Sequence, residues 1–125
     1  IHIAPSISTL FLFYLNGNGV APGTWISSSD RRLKENTSYV DSALDKLSQL
    51  KPMTYSLKMN ELDAPNRYGF FADEMATVYP ELVEDIGKVG DVEDAKGVKY
   101  TEMIPLLVKA IQELKAEVDA LKAAK

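Results

Sequence analysis

A hydroxyl and an amine stand five positions apart where this chain first acquires charge. Ser29 opens the run Ser29-Asp30-Arg31-Arg32-Leu33-Lys34-Glu35-Asn36. From Ile1 to Ser29 there is no Asp, Glu, Lys or Arg, and all 14 basic and 18 acidic residues lie from Asp30 onward. A serine hydroxyl is a poor nucleophile until a base takes its proton. A lysine amine can be that base when burial or a nearby cation lowers its proton affinity. A turn between Ser29 and Lys34 would bring Nζ to Oγ. The chemistry open to such a pair is scission of the backbone beside Ser29, at the junction of two unlike segments. Spacing alone fits better a polar linker that caps a helix, since serine and lysine are common residues.

Composition narrows the alternatives. The single histidine, His2, is remote, and there is no cysteine. A Ser-His-Asp triad, a thiolate site and a multi-histidine metal site are therefore set aside, and no metal is expected. The net charge of −4 argues against a nucleic-acid partner, which would need a clustered basic patch. No apolar run reaches the length of a membrane span. Leu10-Phe11-Leu12-Phe13-Tyr14-Leu15 has no basic residues before it and is not read as a signal peptide. The chain is expected to continue upstream of Ile1.

The elements that must position the pair differ on its two sides. Residues 6–15 are rich in β-branched and aromatic types, and Asn16-Gly17-Asn18-Gly19 is a strong hairpin signal. Val20 to Ile26 reads as extended chain broken at Pro22-Gly23. So apolar a strand needs burial on both faces, which a piece this short cannot supply alone. It is expected to be the end of an intertwined β-structured oligomer. Downstream, Asn36-Thr37-Ser38 offers caps for a helix carrying Val40, Ala43, Leu44, Leu47 and Leu50 up to Pro52. Strands are expected at Met53–Leu57 and Arg67–Ala72, a loop between them over residues 58–66, and a short helix from Asp73 to Tyr79, stopped by Pro80. Leu82-Val83 and Val98-Lys99-Tyr100 read as brief strands. The polar, glycine-rich and acid-rich stretch Gly87–Gly97 reads as an exposed loop, and nothing in it forms a phosphate-cradling motif.

The last stretch carries a heptad seam. Ile104, Leu107, Ile111, Leu114, Val118 and Leu121 are spaced 3, 4, 3, 4, 3, with β-branched residues at a and leucine at d. Lys115 and Lys122 flank the seam at e and Glu117 at g. Thr101 could cap this helix, with Pro105 in its first turn. Two readings are open: a seam for self-association, or an amphipathic helix packed on its own domain.

Several motifs, in order, give the chain a family resemblance. Ser29-Asp30-Arg31-Arg32-Leu33-Lys34-Glu35-Asn36 closely resembles the S-D-x-R-L-K-x-N opening of the intramolecular chaperone auto-processing domain of phage tail fibres, tailspikes and endosialidases. Tyr68-Gly69-Phe70-Phe71-Ala72-Asp73-Glu74 is similar to its G-F-[IV]-A-Q-E motif, and Tyr79-Pro80-Glu81-Leu82-Val83 to its F/Y-P-E-L-V. The stretch from Val98-Lys99-Tyr100 through Ala110-Ile111-Gln112-Glu113-Leu114 resembles its V-x-Y…A-I-x-E-L ending. Tyr68 stands where many members have histidine, and Asp73 where they have glutamine.

The resemblance implies a domain that trimerises, assists the folding of the fibre before it and then releases itself at a serine. Ser29 carries over as the cleavage-site serine, Lys34 as its base and Asp30 as the residue after the serine. The cut is expected beside Ser29, at the Ser29–Asp30 bond, or before Ser29 should the hydroxyl attack the preceding carbonyl. The expected fold is α+β: small antiparallel strands and helices with a long C-terminal coiled-coil-like helix, homotrimeric, preceded by a β-rich fibre end. Residues 1–26 are read as the end of a fibre or tailspike shaft and 27–125 as the chaperone domain. Expected partners are two further copies and the upstream shaft, with no cofactor, nucleic acid or membrane. The precursor is expected to be made in the host cytoplasm and to leave its shaft on the virion. A non-cleaving trimerisation tip is the alternative. A receptor-binding tip using Trp25, Tyr14 and residues 58–66 is a third reading.

Overall fold

A computed structural model of the chain describes residues 12–14, 17–59 and 67–125. His2, the first part of the expected strand at 6–15, and most of the expected loop at 58–66 lie outside the described residues. The chain divides into two units, Ile1–Thr37 and Ser38–Lys125.

The first unit carries a small antiparallel hairpin, β1 (Leu12–Phe13) with β2 (Gly19–Val20), pairing Leu12 with Val20 and Phe13 with Gly19. Gly17 takes φ 92°, a left-handed conformation that glycine adopts without steric cost. Tyr14 N–H donates to the Asn18 carbonyl at 2.8 Å, closing the turn that the Asn-Gly repeat signals. Residues 22–30 are exposed, and a single 3-10 turn at Arg31–Leu33 follows.

The second unit is α+β. A four-residue helix α1 (Leu44–Leu47) precedes β3 (Met53–Tyr55), which pairs antiparallel with β4 (Arg67–Gly69). Helix α2 (Ala72–Val78) ends as Tyr79 N–H donates to the Met75 carbonyl, and Pro80 opens a 3-10 turn to Leu82. Proline suits that place because the first position of a turn has no donor to lose. Strands β5 (Val83–Val89) and β6 (Val92–Val98) form a long antiparallel hairpin. A 3-10 turn at Tyr100–Glu102 then feeds the 21-residue helix α3 (Met103–Ala123).

The core is small. Met75, Val78, Tyr79, Leu82 and Met103 are buried together, with Leu47, Leu50, Phe70 and Leu106 packed against them. It therefore joins one face each of α1, α2 and α3. Gly69 is fixed by two tyrosines, Tyr100 and Tyr55. A Cβ there would lie 2.6 Å from the Tyr100 hydroxyl and 3.1 Å from the Tyr55 ring. That hydroxyl accepts a hydrogen bond from Phe70 N–H at 3.0 Å.

Three local expectations are corrected. The expected helix reaching back to the Asn36-Thr37-Ser38 caps is only the single turn Leu44–Leu47, with no side-chain cap from Ala43. The cap comes from α3, where Glu113 Oε1 accepts from Ala43 N–H at 2.6 Å and Leu44 N–H at 3.2 Å. The stretch Gly87–Gly97 belongs to the β5–β6 hairpin. Backbone pairing and the Lys96–Asp85 and Lys88–Glu93 ion pairs span it without an apolar alternation. Thr101 does not cap α3, which the chain enters through the 3-10 turn, although Pro105 does sit in the first helical turn.

Candidate functional site

The site in the first unit is built by one turn. Asp30 takes an extended backbone (φ −66°, ψ 132°), and its Oδ1 accepts from Arg32 N–H at 2.9 Å. This is an N-cap in miniature: a short acidic side chain satisfies an amide that the turn leaves free. Leu33 N–H and Lys34 N–H then donate to the Asp30 and Arg31 carbonyls at 3.0 and 3.1 Å. Lys34 leaves the turn extended (φ −113°, ψ 144°). The reversal brings Lys34 Nζ back to Ser29, where it donates to Oγ at 2.7 Å. Both residues are exposed.

A second contact holds the turn. The Arg32 guanidinium grips the Asp30 carboxylate, Nε donating to Oδ1 at 3.0 Å and Nη2 to Oδ2 at 2.8 Å. The Arg32 side-chain hydrogen bonds lower the Asp30 carboxyl below its usual range, helped by the Arg32 amide and opposed slightly by desolvation. The pairing correspondingly raises Arg32. A bidentate guanidinium–carboxylate contact fixes orientation as well as charge.

An amine and a hydroxyl at hydrogen-bond range can exchange a proton, provided the amine is neutral at the moment of transfer. The hydroxyl is also covalently next to two peptide carbonyls, those of Ser28 and Ser29. The turn thus brings together Ser29, Lys34 and Asp30. The sequence reading gave Arg32 no role. The available signal was an Asp at a turn start with a basic residue two positions on. Glu113 had no such signal, since its partners lie 69 and 70 positions away.

The heptad residues lie on α3 of the second unit. The helix packs on its own unit through Met103, Leu106, Ala110 and half-buried Glu113, a stripe also spaced 3, 4, 3. The seam Ile104, Leu107, Ile111, Leu114, Val118 and Leu121 lies on another face and stays 46–69% exposed. Packing on its own domain and presenting an apolar seam are therefore both properties of this helix. A Lys115–Asp119 pair at 2.7 Å runs along its surface. Trp25 and Tyr14 are exposed in the first unit. Among the described residues no group of side chains could hold a metal ion, and no helix is long and apolar enough to cross a membrane.

A turn that folds a lysine onto a serine is followed in the chain by a small α+β unit ending in a long helix, and comparison with known proteins finds related sequences. Residues 29–84 match the model of the family described as chaperone of endosialidase, which bears a peptidase's name. The chain is also 32% identical over 114 residues to long tail fiber protein Gp37 of Enterobacteria phage Ox2, and equally to that of Enterobacteria phage M1. Each alignment covers 88% of this chain and 44% of the relative, so the chain spans less than half the length of the fibre proteins it matches. Over residues 29–84 the chain is thus similar to the chaperone-of-endosialidase family.

Proposed function

We propose that residues 27–125 act as a C-terminal intramolecular chaperone of a phage tail fibre. It associates as a homotrimer through the α3 seam, assists folding of the β-structured shaft that ends within residues 1–26, and releases itself by cutting beside Ser29. The observation that carries the cleavage reading is the 2.7 Å approach of Lys34 Nζ to Ser29 Oγ. The family and the fibre relatives support the chaperone role, and the open seam supports self-association.

The step balances within the chain. Ser29 Oγ adds to a neighbouring carbonyl carbon as its proton passes to Lys34 Nζ. That proton then goes to the departing nitrogen as the C–N bond breaks and an ester forms. Water hydrolyses the ester, leaving a carboxylate, an amine and the restored hydroxyl. An amine takes a proton only when it is neutral, so the exposed pair needs a trigger. Burial against partner chains lowers an amine's proton affinity, which ties cutting to assembly. An entangled β-trimer forms many non-local contacts and folds slowly, with exposed edges on the way. A C-terminal clamp raises the local concentration of the three shafts, and its loss afterwards leaves the shaft kinetically trapped.

The test is the intact mass of the expressed chain beside that of Ser29→Ala. The proposal expects a wild-type chain split beside Ser29 and an intact variant. Fragment masses separate a cut before Ser29 from one at Ser29–Asp30, since the two differ by one serine residue. An intact wild-type trimer would support the alternative, a trimerisation tip that stays attached.

A further inference from the structure

We propose that Arg32 is a positioning residue for self-cleavage: its guanidinium locks the Asp30 carboxylate in the rotamer that caps the turn, and the capped turn delivers Lys34 to Ser29. This rests on the cleavage reading above and adds a residue to it.

The geometry is specific. A single carboxylate serves three donors of one residue, the Arg32 amide, Nε and Nη2, at 2.8–3.0 Å. The amide bond forms the turn, and the two guanidinium bonds hold the carboxylate where it can accept it. Without the guanidinium, Asp30 is free to rotate towards solvent, because its side chain is 45% exposed. Released from its cap, the Arg31–Leu33 turn has only the Leu33 and Lys34 amide bonds to close it. Lys34 Nζ sits at the end of a flexible stem, so its meeting with Oγ depends on where the turn sets its Cα. Arg32 itself touches neither Ser29 nor Lys34 among these contacts and is 89% exposed. Its removal therefore leaves the hydroxyl–amine pair chemically intact and changes only how often the two meet. Lysine could not replace it fully, because it lacks the planar fork that engages both carboxylate oxygens.

The test is the self-cleavage rate of the full chain, followed by intact mass, in a double-mutant cycle. Native mass confirms the same assembly state for every variant. Arg32→Ala is expected to slow cleavage about twofold to fivefold, the scale of an exposed ion pair. Asp30→Ala removes the cap as well and is expected to slow it about 30-fold. Arg32→Ala added to Asp30→Ala should then change nothing further, because its only partner is gone. Arg32→Lys should recover part of the wild-type rate. Raising salt should slow the wild type and leave Arg32→Ala unaffected, since exposed pairs are screened. Wild-type rates in Arg32→Ala, or an equal slowing in both Asp30 backgrounds, overturn the proposal and leave the Ser29–Lys34 reading standing. A Ser29→Ala chain that still splits, or a wild type that never does, overturns both.

Discussion

Replacing Glu113 by alanine should loosen the start of α1 and destabilise the Ser38–Lys125 unit. One oxygen of this carboxylate accepts from Ala43 N–H at 2.6 Å and Leu44 N–H at 3.2 Å, both partly buried. Helix α1 is a single turn without a side-chain cap of its own, so no neighbour can take over. Hydrogen bonds to a charged acceptor contribute about 1.5–3 kcal/mol, and the partial burial of the freed amides prevents water from making good the whole loss. The expected cost of Glu113→Ala is about 2 kcal/mol. For a unit of this size that lowers the melting temperature by roughly 8–16 °C. Glu113→Gln keeps an acceptor and loses the charge, and should cost about half as much. The assay is urea unfolding at fixed protein concentration, because the proposed self-association would make apparent stability concentration-dependent. If both variants unfold within about 0.5 kcal/mol of wild type, a size expected of unremarkable surface changes, the remote cap contributes nothing and the reasoning fails.

Other consequences can be measured independently. Leu114→Ala should weaken association by roughly 100-fold, since about 1 kcal/mol lost per chain is repeated three times in the proposed trimer; sedimentation equilibrium reads it, and an unchanged mass distribution contradicts a seam through Leu114. Gly69→Ala should destabilise by about 1–3 kcal/mol, because its Cβ would lie 2.6 Å from the Tyr100 hydroxyl and displace it from Phe70 N–H; thermal unfolding followed in the aromatic signal checks this. Asp30 has a lowered pKa, so its grip on Arg32 holds above the usual carboxylate range and is lost as pH falls through the lowered value. An NMR titration of Ser29→Ala should place the Asp30 carboxyl below the usual carboxylate range, and Arg32→Ala should bring it back up.

The elements set by local chemistry were legible in the residues. Asn-Gly marked the β1–β2 turn, Pro80 marked the end of α2, and the 3, 4 spacing marked α3. Elements that depend on distant partners were not. The start of α1 is set by a carboxylate on α3, which no local window contains. The β5–β6 hairpin is exposed along most of both strands, so its residues show no apolar alternation, and the Gly90-Asp91 turn was its one signal. At the site, spacing allowed Lys34 to reach Ser29 but did not single the pair out; the family resemblance did. The guanidinium clamp did not, because Arg31 and Arg32 are indistinguishable until the turn decides which of them faces Asp30. On α3 the seam was legible, but the second stripe that packs on the domain was not separated from it. Both repeat with one spacing, and only the tertiary contacts show which face is covered.

The role of the amine is tested most directly by a time course of intact mass for Lys34→Met beside wild type, with assembly checked by native mass. Methionine keeps much of the side chain's length and apolar contact and removes the nitrogen that meets Ser29 Oγ at 2.7 Å. The account predicts that wild type splits beside Ser29 while Lys34→Met assembles equally well and stays whole. Cleavage of Lys34→Met at the wild-type rate and bond would contradict it.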